Sequence, residues 1–469
     1  MRQVGSYFHS VRLDAEKCKG CTNCIRRCPT EAIRVREGRA QIIEERCIDC
    51  GECIRVCPNQ AKIAVSDSLE KLEQFQHTIA LPAPALYGQF KGKHSVGRID
   101  AALLSLGFDD VFQVAYAADL VSEATEEYMA RVKEPRPLIS QACPAVVSLI
   151  QVRFPLLLSH LIPIDSPMNA AARMAKDEAT AKGYRLEDVG VFFITPCPAK
   201  ITAVRQPQKH FVSYVDGVLS IRDIYGDLRQ NLEREEGELP VRATATGINW
   251  GRAGGEARAL TRGTTLSVDG IHNVISVLEE VEMGHLTEID YLECQACIGG
   301  CVGGALTFAN PHLARMYLQN LASAVGMEGR DLRSGKRLLH RYDGFQIGNE
   351  IMPRRPFSLD QDVARAITKL EMLEKTLEAL PGLDCGSCGA PTCRALAEDI
   401  VRGLSSETDC VFRLRERVSK LAREVMELAS LVPPAMSVTR EVKSKEEEEA
   451  KDEADHHHPI FEPGTGQQG

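Results

Sequence analysis

The sequence predicts an α/β domain with mostly parallel sheets, flanked by a small N-terminal α+β module and a small helical C-terminal domain. Three observations predict it. A cysteine-rich run near the N-terminus occurs twice, as "CKGCTNCIRRCP" from Cys18 and "CIDCGECIRVCP" from Cys47. Between about residues 76 and 350, short apolar runs alternate with segments whose apolar residues recur at helical spacing, the pattern of a mostly parallel sheet with crossover helices. After about residue 356 the chain reads as helices interrupted by a third cysteine cluster.

A chain of 469 residues with 44% hydrophobic and 26% charged residues has the composition of a multidomain globular protein. Its net charge of -9 argues against nucleic acid and anionic membrane as partners. No run approaches the roughly 18–20 apolar residues of a membrane span, and the N-terminus has no apolar core of a secretory signal, so a cytoplasmic location is expected. Seventeen cysteines in a reducing compartment point to metal ligands or redox groups rather than structural bridges.

The N-terminal repeat, Cys-x2-Cys-x2-Cys-x3-Cys-Pro twice over, is the two-cluster ferredoxin run. A turn aims three thiolates at one cubane and the fourth cysteine reaches the other. Cys18, Cys21, Cys24 and Cys57 are therefore assigned to one [4Fe–4S] cluster, and Cys47, Cys50, Cys53 and Cys28 to the second. Paired zinc knuckles are the alternative; the doubled run with Pro29 and Pro58 fits zinc spacings poorly. "AIRV" and "AQII" between the repeats read as a hairpin. This ferredoxin-like module is expected over 1–70.

In the central domain, expected over 71–355, "HTIALPAPAL" and "VGVFFITPCPAK" read as buried strands ending in proline-containing loops. "GRIDAALLSLGF", "AADLVSEATEEYMARV", "MNAAARMAKDEATAKG" and "DGIHNVISVLEEVEMG" read as helices. Cofactors in such sheets sit beyond the carboxyl ends of strands, where Cys197 lies. A helical domain over 356–437 begins with "DQDVARAITKLEMLEKTLEALPG", a helix stopped by Pro381 and Gly382. Cys385, Cys388, Cys393 and Cys410 follow at x2, x4 and x16 spacing, with Gly386 and Gly389 allowing tight backbone. They resemble a single-cluster [4Fe–4S] domain of electron-transfer and corrinoid proteins; structural zinc is the alternative. "VFRLRERVSKLAREVMELASLV" is the last helix. The charged stretch 438–469 is expected to be disordered, with His456 to His458 in a solvated tail.

Five cysteines remain, in three separate segments: Cys143 in "SQACPAVV", Cys197 in "ITPCPAK", and Cys294, Cys297 and Cys301 in "ECQACIGGCVGG". These segments resemble the three signature loops of the [FeFe]-hydrogenases, which read TSCCP, MPCxxK and ExMxCxxGC. "LPAPAL", "LGFDDVFQVAYAADL" and "GINWGRAGGEARAL" extend the resemblance, which covers residues 1 to about 325. A phosphate-binding role for Gly247 to Gly255 competes, but no P-loop lysine follows. The resemblance implies that Cys143, Cys197, Cys297 and Cys301 hold the cubane of an H-cluster, Cys301 bridging to a di-iron unit with CO, CN⁻ and a dithiolate. It implies that Lys200 binds a cyanide ligand and that Ala83, Pro84 and Ala85 wall the pocket. Ala142, Ser166, Gln295 and Gly300 are implied as further cofactor contacts, and Gly299, Gly300, Gly303 and Gly304 as the source of room for the diatomic ligands.

The chain departs from the family where protons should move. The relay thiol preceding the first-loop cysteine is Ala142, and a methyl group cannot exchange protons. The glutamate after the loop-two lysine is Ala203. The second- and third-loop methionines are Thr195 and Gln295, and the glutamine after Ser166-Pro167 is Met168. Glu123 and Glu126 are either remnants of an acidic relay or a solvated helix face. Cys294 is extra: it either supplies a replacement catalytic thiol or is a buried structural cysteine. Retained cofactor loops with a lost proton path resemble the sensory branch of the family.

The resulting expectation is an iron–sulfur oxidoreductase of [FeFe]-hydrogenase type, slow and used to sense hydrogen or redox state. The implied partners are hydrogen and protons, a redox protein such as ferredoxin, maturation proteins, and a signalling kinase or phosphatase. The competing expectation is a non-enzymatic iron–sulfur carrier or assembly scaffold without the di-iron unit.

Overall fold

A computed structural model describes residues 8–91, 93–207, 213–234, 237–325, 338–347, 351–354 and 356–431. The expected disordered tail and His456 to His458 lie outside these residues. Two units are distinguished, 1–406 and 407–469.

The first unit contains two parallel sheets. In one, the strands Asp110–Val111, His77–Pro82, Val189–Thr195 and Gly217–Ser220 lie side by side in that order. The strand Val189–Thr195 is buried at every position, as a parallel strand covered on both faces requires. Its side chains alternate between two cores. Val191 and Phe193 pack with residues of the helices Val114–Arg131 and Pro167–Ala181. Phe192 and Ile194 pack with the helices Val96–Leu104 and Ile221–Arg234. The second sheet has the order Thr265–Asp269, Tyr291–Gln295, Leu138–Ile139. Every expected helix quoted above forms, with ends close to its proline, glycine or capping signals; Ser95 and Ser166, for example, accept the amides of Arg98 and Asn169 as N-caps.

The N-terminal module has the expected hairpin, Ile33–Arg36 against Arg39–Ile42, and an antiparallel pair Val11–Leu13 with Lys62–Ala64. Each cysteine run closes with one helical turn, Asn23–Arg26 and Glu52–Arg55, entered through a left-handed residue, Thr22 or Gly51. Gly51 is also a contact: a Cβ there would fall 2.5 Å from Ala305 and 3.1 Å from Pro198 of the central domain.

The helices Val363–Ala379 and Cys393–Val401 complete the first unit. In the second unit the helix Val411–Ser430 starts immediately after Cys410. Among the described residues no helix is long and apolar enough to cross a membrane.

Candidate metal centre and its cavity

Each expected cysteine loop leaves the carboxyl end of a parallel strand. Cys143 follows Leu138–Ile139, Cys197 follows Val189–Thr195, and Cys297 and Cys301 follow Tyr291–Gln295. The two sheets thereby bring four sulfurs from three distant segments together. Burial pushes the Cys197 thiol up to about 12, with Cys297 and Cys143 adding to the shift and Lys200 opposing it. Burial lifts Cys301 well above the usual thiol range against the opposing pull of Lys200, with Cys197, Cys143 and Cys297 adding. Burial raises Cys297 too, opposed by Arg55, whose Nη2 lies 3.5 Å from its Sγ. Such thiols become thiolates only when a cation compensates them.

Beside the sulfurs lies a cavity with about 600 Å³ of empty space. Ala83, Pro84, Ala85, Ala142, Phe193 and Gly251 give it a wall of small and apolar groups, while Lys200, Gln295, Cys294 and Cys301 also face it. The Lys200 side chain is 9% exposed, and its Nζ donates to the Ala142 carbonyl at 3.1 Å. A lysine is seldom buried without a partner anion. Gln295 Oε1 is buried without a hydrogen-bond partner among the described residues. A structural zinc site is closed on all sides by its four ligands. Four thiols opening on one flank into a lysine-lined cavity instead fit a cubane with a larger group attached.

The glycines of the third loop do a different job from the one expected. A Cβ on Gly300 (φ 89°) would lie 2.4 Å from the Ala253 nitrogen and 2.3 Å from Gln295 Oε1, and one on Gly304 would lie 2.2 Å from the Pro196 carbonyl oxygen. Their missing side chains let the loop backbone pack against neighbouring backbone. The open space comes from the small side chains of Ala83, Ala85 and Ala142. Ser166 faces a neighbouring cavity, with Asp165, Asn169 and Ala203. Cys294 is 1% exposed and faces the main cavity, its thiol raised well above the usual range by burial, then by Cys143, Glu293 and Glu256.

Glu123 and Glu126 do not line the cavity. Glu126 instead accepts from the Thr261 hydroxyl at 2.7 Å and from its amide. The acids near the site are two that the sequence reading passed over. Glu256 lines the cavity and accepts hydrogen bonds from Ser140 Oγ at 2.8 Å and Tyr291 Oη at 2.6 Å. Glu293 accepts from the amides of Gly254 and Ala257 at 2.9 and 2.7 Å. Burial raises both carboxyls above their ordinary range; Glu293 is pushed up to about 8, with the Glu256 charge adding to the effect of burial. Each glutamate stands in a largely apolar run, "AGGEARAL" and "YLECQ", and neither run marks it further.

The N-terminal cysteines fall into two groups, each lining its own cavity. Cys18, Cys21, Cys24 and Cys57 line one small cavity, with about 340 Å³ of empty space. Cys28, Cys47, Cys50 and Cys53 line another of about 360 Å³. The amides of Ala40, Ala32 and Ala61 point at the sulfurs of Cys18, Cys28 and Cys57, as amides do around cubanes. Lys62, buried, is in electrostatic reach of Cys24 of one set and Cys53 of the other. Cys50 of the second set packs against the same core as Cys143 and Cys197. At the far side, Arg26 and Arg36 donate to the carbonyls of Cys385 and Cys388 at 2.7 and 2.8 Å. A Cβ on Gly389 would fall 2.0 Å from the Val35 carbonyl oxygen. Cys410 belongs to the second unit and is buried at the start of its helix.

The chain matches three family models. Residues 76–266 match the family model of the iron-only hydrogenase large subunit, C-terminal domain. Residues 10–58 match a 4Fe-4S dicluster domain, and 380–412 match an Fe-S cluster domain. Among curated proteins, the chain is similar to iron hydrogenase 1 of Clostridium pasteurianum, 23% identical over 322 residues, covering 56% of each chain. It is also similar to the NADP-reducing hydrogenase subunit HndD of Solidesulfovibrio fructosivorans, 25% identical over 340 residues, covering 61% of this chain and 55% of that one. The chain thus spans little more than half the length of these relatives. Among solved structures, a variant of the [FeFe]-hydrogenase HydA1 from Chlamydomonas reinhardtii aligns with a TM-score of 0.47 and 18% identity, over 59% of this chain and 92% of that one. Iron–sulfur clusters at both ends of the chain, and an H-cluster domain between them, follow from the family matches.

Proposed function

Because this chain belongs to the [FeFe]-hydrogenase family, we propose that it interconverts hydrogen with two protons and two electrons, slowly, and reports hydrogen or redox state to a partner. One observation carries the reading. Lys200 is buried at the cavity beside four sulfurs, while its hydrogen-bond acceptor, Ala142, stands where the catalysts of the family keep a proton-carrying thiol.

In this reading Cys143, Cys197, Cys297 and Cys301 would hold the cubane, and Cys301, which lines the cavity and lies near Lys200, would be the ligand nearest the di-iron unit. When bound, that unit supplies the iron centre at which hydrogen is split or formed. Lys200 Nζ presents its ammonium to the cavity and orients an anionic ligand there. Ala83, Pro84, Ala85 and Phe193 exclude water, which strengthens that charge–charge contact. Glu256, its carboxyl raised by burial and held by Ser140 and Tyr291, exchanges protons at the cavity in place of the missing thiol, and the buried Cys294 faces the same cavity. Loss of a well-placed acid–base group costs about 10²–10⁴-fold in rate, which suits a reporter. The two N-terminal cysteine sets and the C-terminal one would hold the clusters that carry electrons between the cavity and a ferredoxin-type protein. Maturation proteins and a kinase or phosphatase are the further partners proposed.

The non-enzymatic scaffold reading leaves Lys200 the cysteine sulfurs and the carboxyls of Glu256 and Asp165 as neighbours, but gives the small-walled cavity beside it no occupant. Infrared spectroscopy of protein matured with the di-iron cofactor tests the choice: CO and CN⁻ bands are expected, and their absence after maturation that loads a control hydrogenase would overturn the hydrogenase reading. A turnover matching that of a fast family member would overturn the sensory one.

A further inference from the structure

We propose that the helix Val411–Ser430 joins two copies of this chain as an antiparallel two-stranded coiled coil. Along it, Val411, Leu414, Val418, Leu421, Val425 and Leu428 recur at alternating steps of three and four, and each is between 38% and 67% exposed. Valine at every a position and leucine at every d position makes a continuous apolar seam of coiled-coil type, and the flanking charges set its orientation. The stripe runs from Val411 to Leu428, about 26 Å of helix. The opposite face is charged, with Arg413, Glu416, Lys420 and Arg423, so only one stripe is left to cover.

A second copy fits this stripe because the flanking charges complement themselves in one orientation. Arg417 and Glu424 occupy successive g positions. When Val418 of one helix faces Leu421 of an antiparallel partner, each Arg417 lies beside the other copy's Glu424, and the pair forms twice. In a parallel pair both would face alanines, Ala422 and Ala429, and gain nothing. The start of the helix argues the same way. Cys410 precedes Val411 directly, so a parallel pair would hold the two copies of Cys410 about 10 Å apart, the separation of packed helices. An antiparallel pair separates them by the length of the stripe.

The test is the mass of the full, cluster-loaded chain by sedimentation or light scattering over a concentration series. A dimer of twice 51.6 kDa is expected, dissociating on the order of micromolar concentration. Val418→Glu should give the monomer with cluster absorbance and helix content unchanged. Arg417→Glu should weaken the dimer at least tenfold, and Arg417→Glu combined with Glu424→Arg should recover it. A monomer throughout the series, including one in which the stripe packs within its own chain, overturns the proposal. So does a dimer that Val418→Glu leaves intact. A dimer broken by Val418→Glu but indifferent to both charge changes overturns the antiparallel arrangement. None of these readouts depends on hydrogen turnover.

Discussion

Arg34 and Asp399 form a buried bidentate pair, Nε to Oδ2 at 2.7 Å and Nη2 to Oδ1 at 3.1 Å. Both side chains are about 5% exposed, and Arg36 Nη2 adds a third contact to Oδ2 at 2.7 Å. The pair ties the helix Cys393–Val401 of the C-terminal cysteine motif to the hairpin of the N-terminal module, more than 360 residues away in sequence. Two modules that a sequence reader separates by the whole central domain are thus fastened directly, cysteine loop against cysteine loop.

Replacing Asp399 with alanine leaves two guanidinium groups facing one another without their anion. Breaking a buried pair from one side costs roughly 3–5 kcal/mol. Local opening of the contact should then increase, and exchange of the Val35 amide, which donates to the Gly389 carbonyl at 2.8 Å, should accelerate at least about a hundredfold. Hydrogen–deuterium exchange resolved to this strand measures it. Unchanged exchange there would mean that the backbone contact, not the ion pair, holds the modules together.

Lys62 is 3% exposed, its ammonium without a hydrogen-bond partner among the described residues, and it reaches both N-terminal cysteine sets. A fixed positive charge favours the more negative, reduced state of each cluster. Lys62→Met should therefore lower the reduction potentials of both N-terminal clusters, by tens of millivolts, while leaving their iron content unchanged. Potentiometric titration followed by electron paramagnetic resonance reads both quantities. If only one potential moves, the lysine serves one cluster and the midway placement has no electronic consequence.

Glu256→Gln keeps the shape at the cavity and removes the exchangeable proton. Hydrogen turnover of matured protein should fall by about 10²-fold or more, with infrared bands retained. Glu123→Gln should have little effect, since that residue does not line the cavity. Equal losses in the two variants would restore the helix acids to the proton route.

What was legible in the sequence follows from which signals are local. The cysteine spacings announce cluster loops because one turn must aim three thiolates at one cubane, and the strand Val189–Thr195 announces itself because a parallel strand buried on both faces has no polar alternation to hide it. Lys200 was placed by its fixed offset from Cys197. The partnerships of Glu256 were not legible: its donors Ser140 and Tyr291 come from other strands, and a lone glutamate in a glycine-rich run carries no mark of burial. The role of Gly300 was misjudged for the same reason. Whether a glycine opens space toward a ligand or toward the backbone of Ala253 depends on a long-range packing contact that no local pattern encodes.

Asp100 gives a prediction about stability rather than chemistry. It is fully buried in the helix Val96–Leu104 and accepts from Tyr87 Oη at 3.0 Å and Gln113 Nε2 at 2.7 Å. Burial nevertheless raises its carboxyl to about 7, the two hydrogen bonds only partly opposing. In the unfolded chain it titrates near ~3.9. Between these values the folded state keeps a proton that the unfolded state has released, so its contribution to stability is full below about pH 4, falls as pH rises, and levels off above about pH 7. The whole window amounts to about 4 kcal/mol at most. Asp100→Asn removes the titration and reverses one hydrogen bond, its amide donating to the Tyr87 hydroxyl while its oxygen still accepts from Gln113, at a cost of about 1 kcal/mol. The variant should thus be less stable than the parent at pH 4–5, with the gap closing or reversing by pH 8. Thermal unfolding of the cluster-loaded protein across that range measures the gap, and a gap that stays constant with pH would show that Asp100 is ionised in the folded protein throughout.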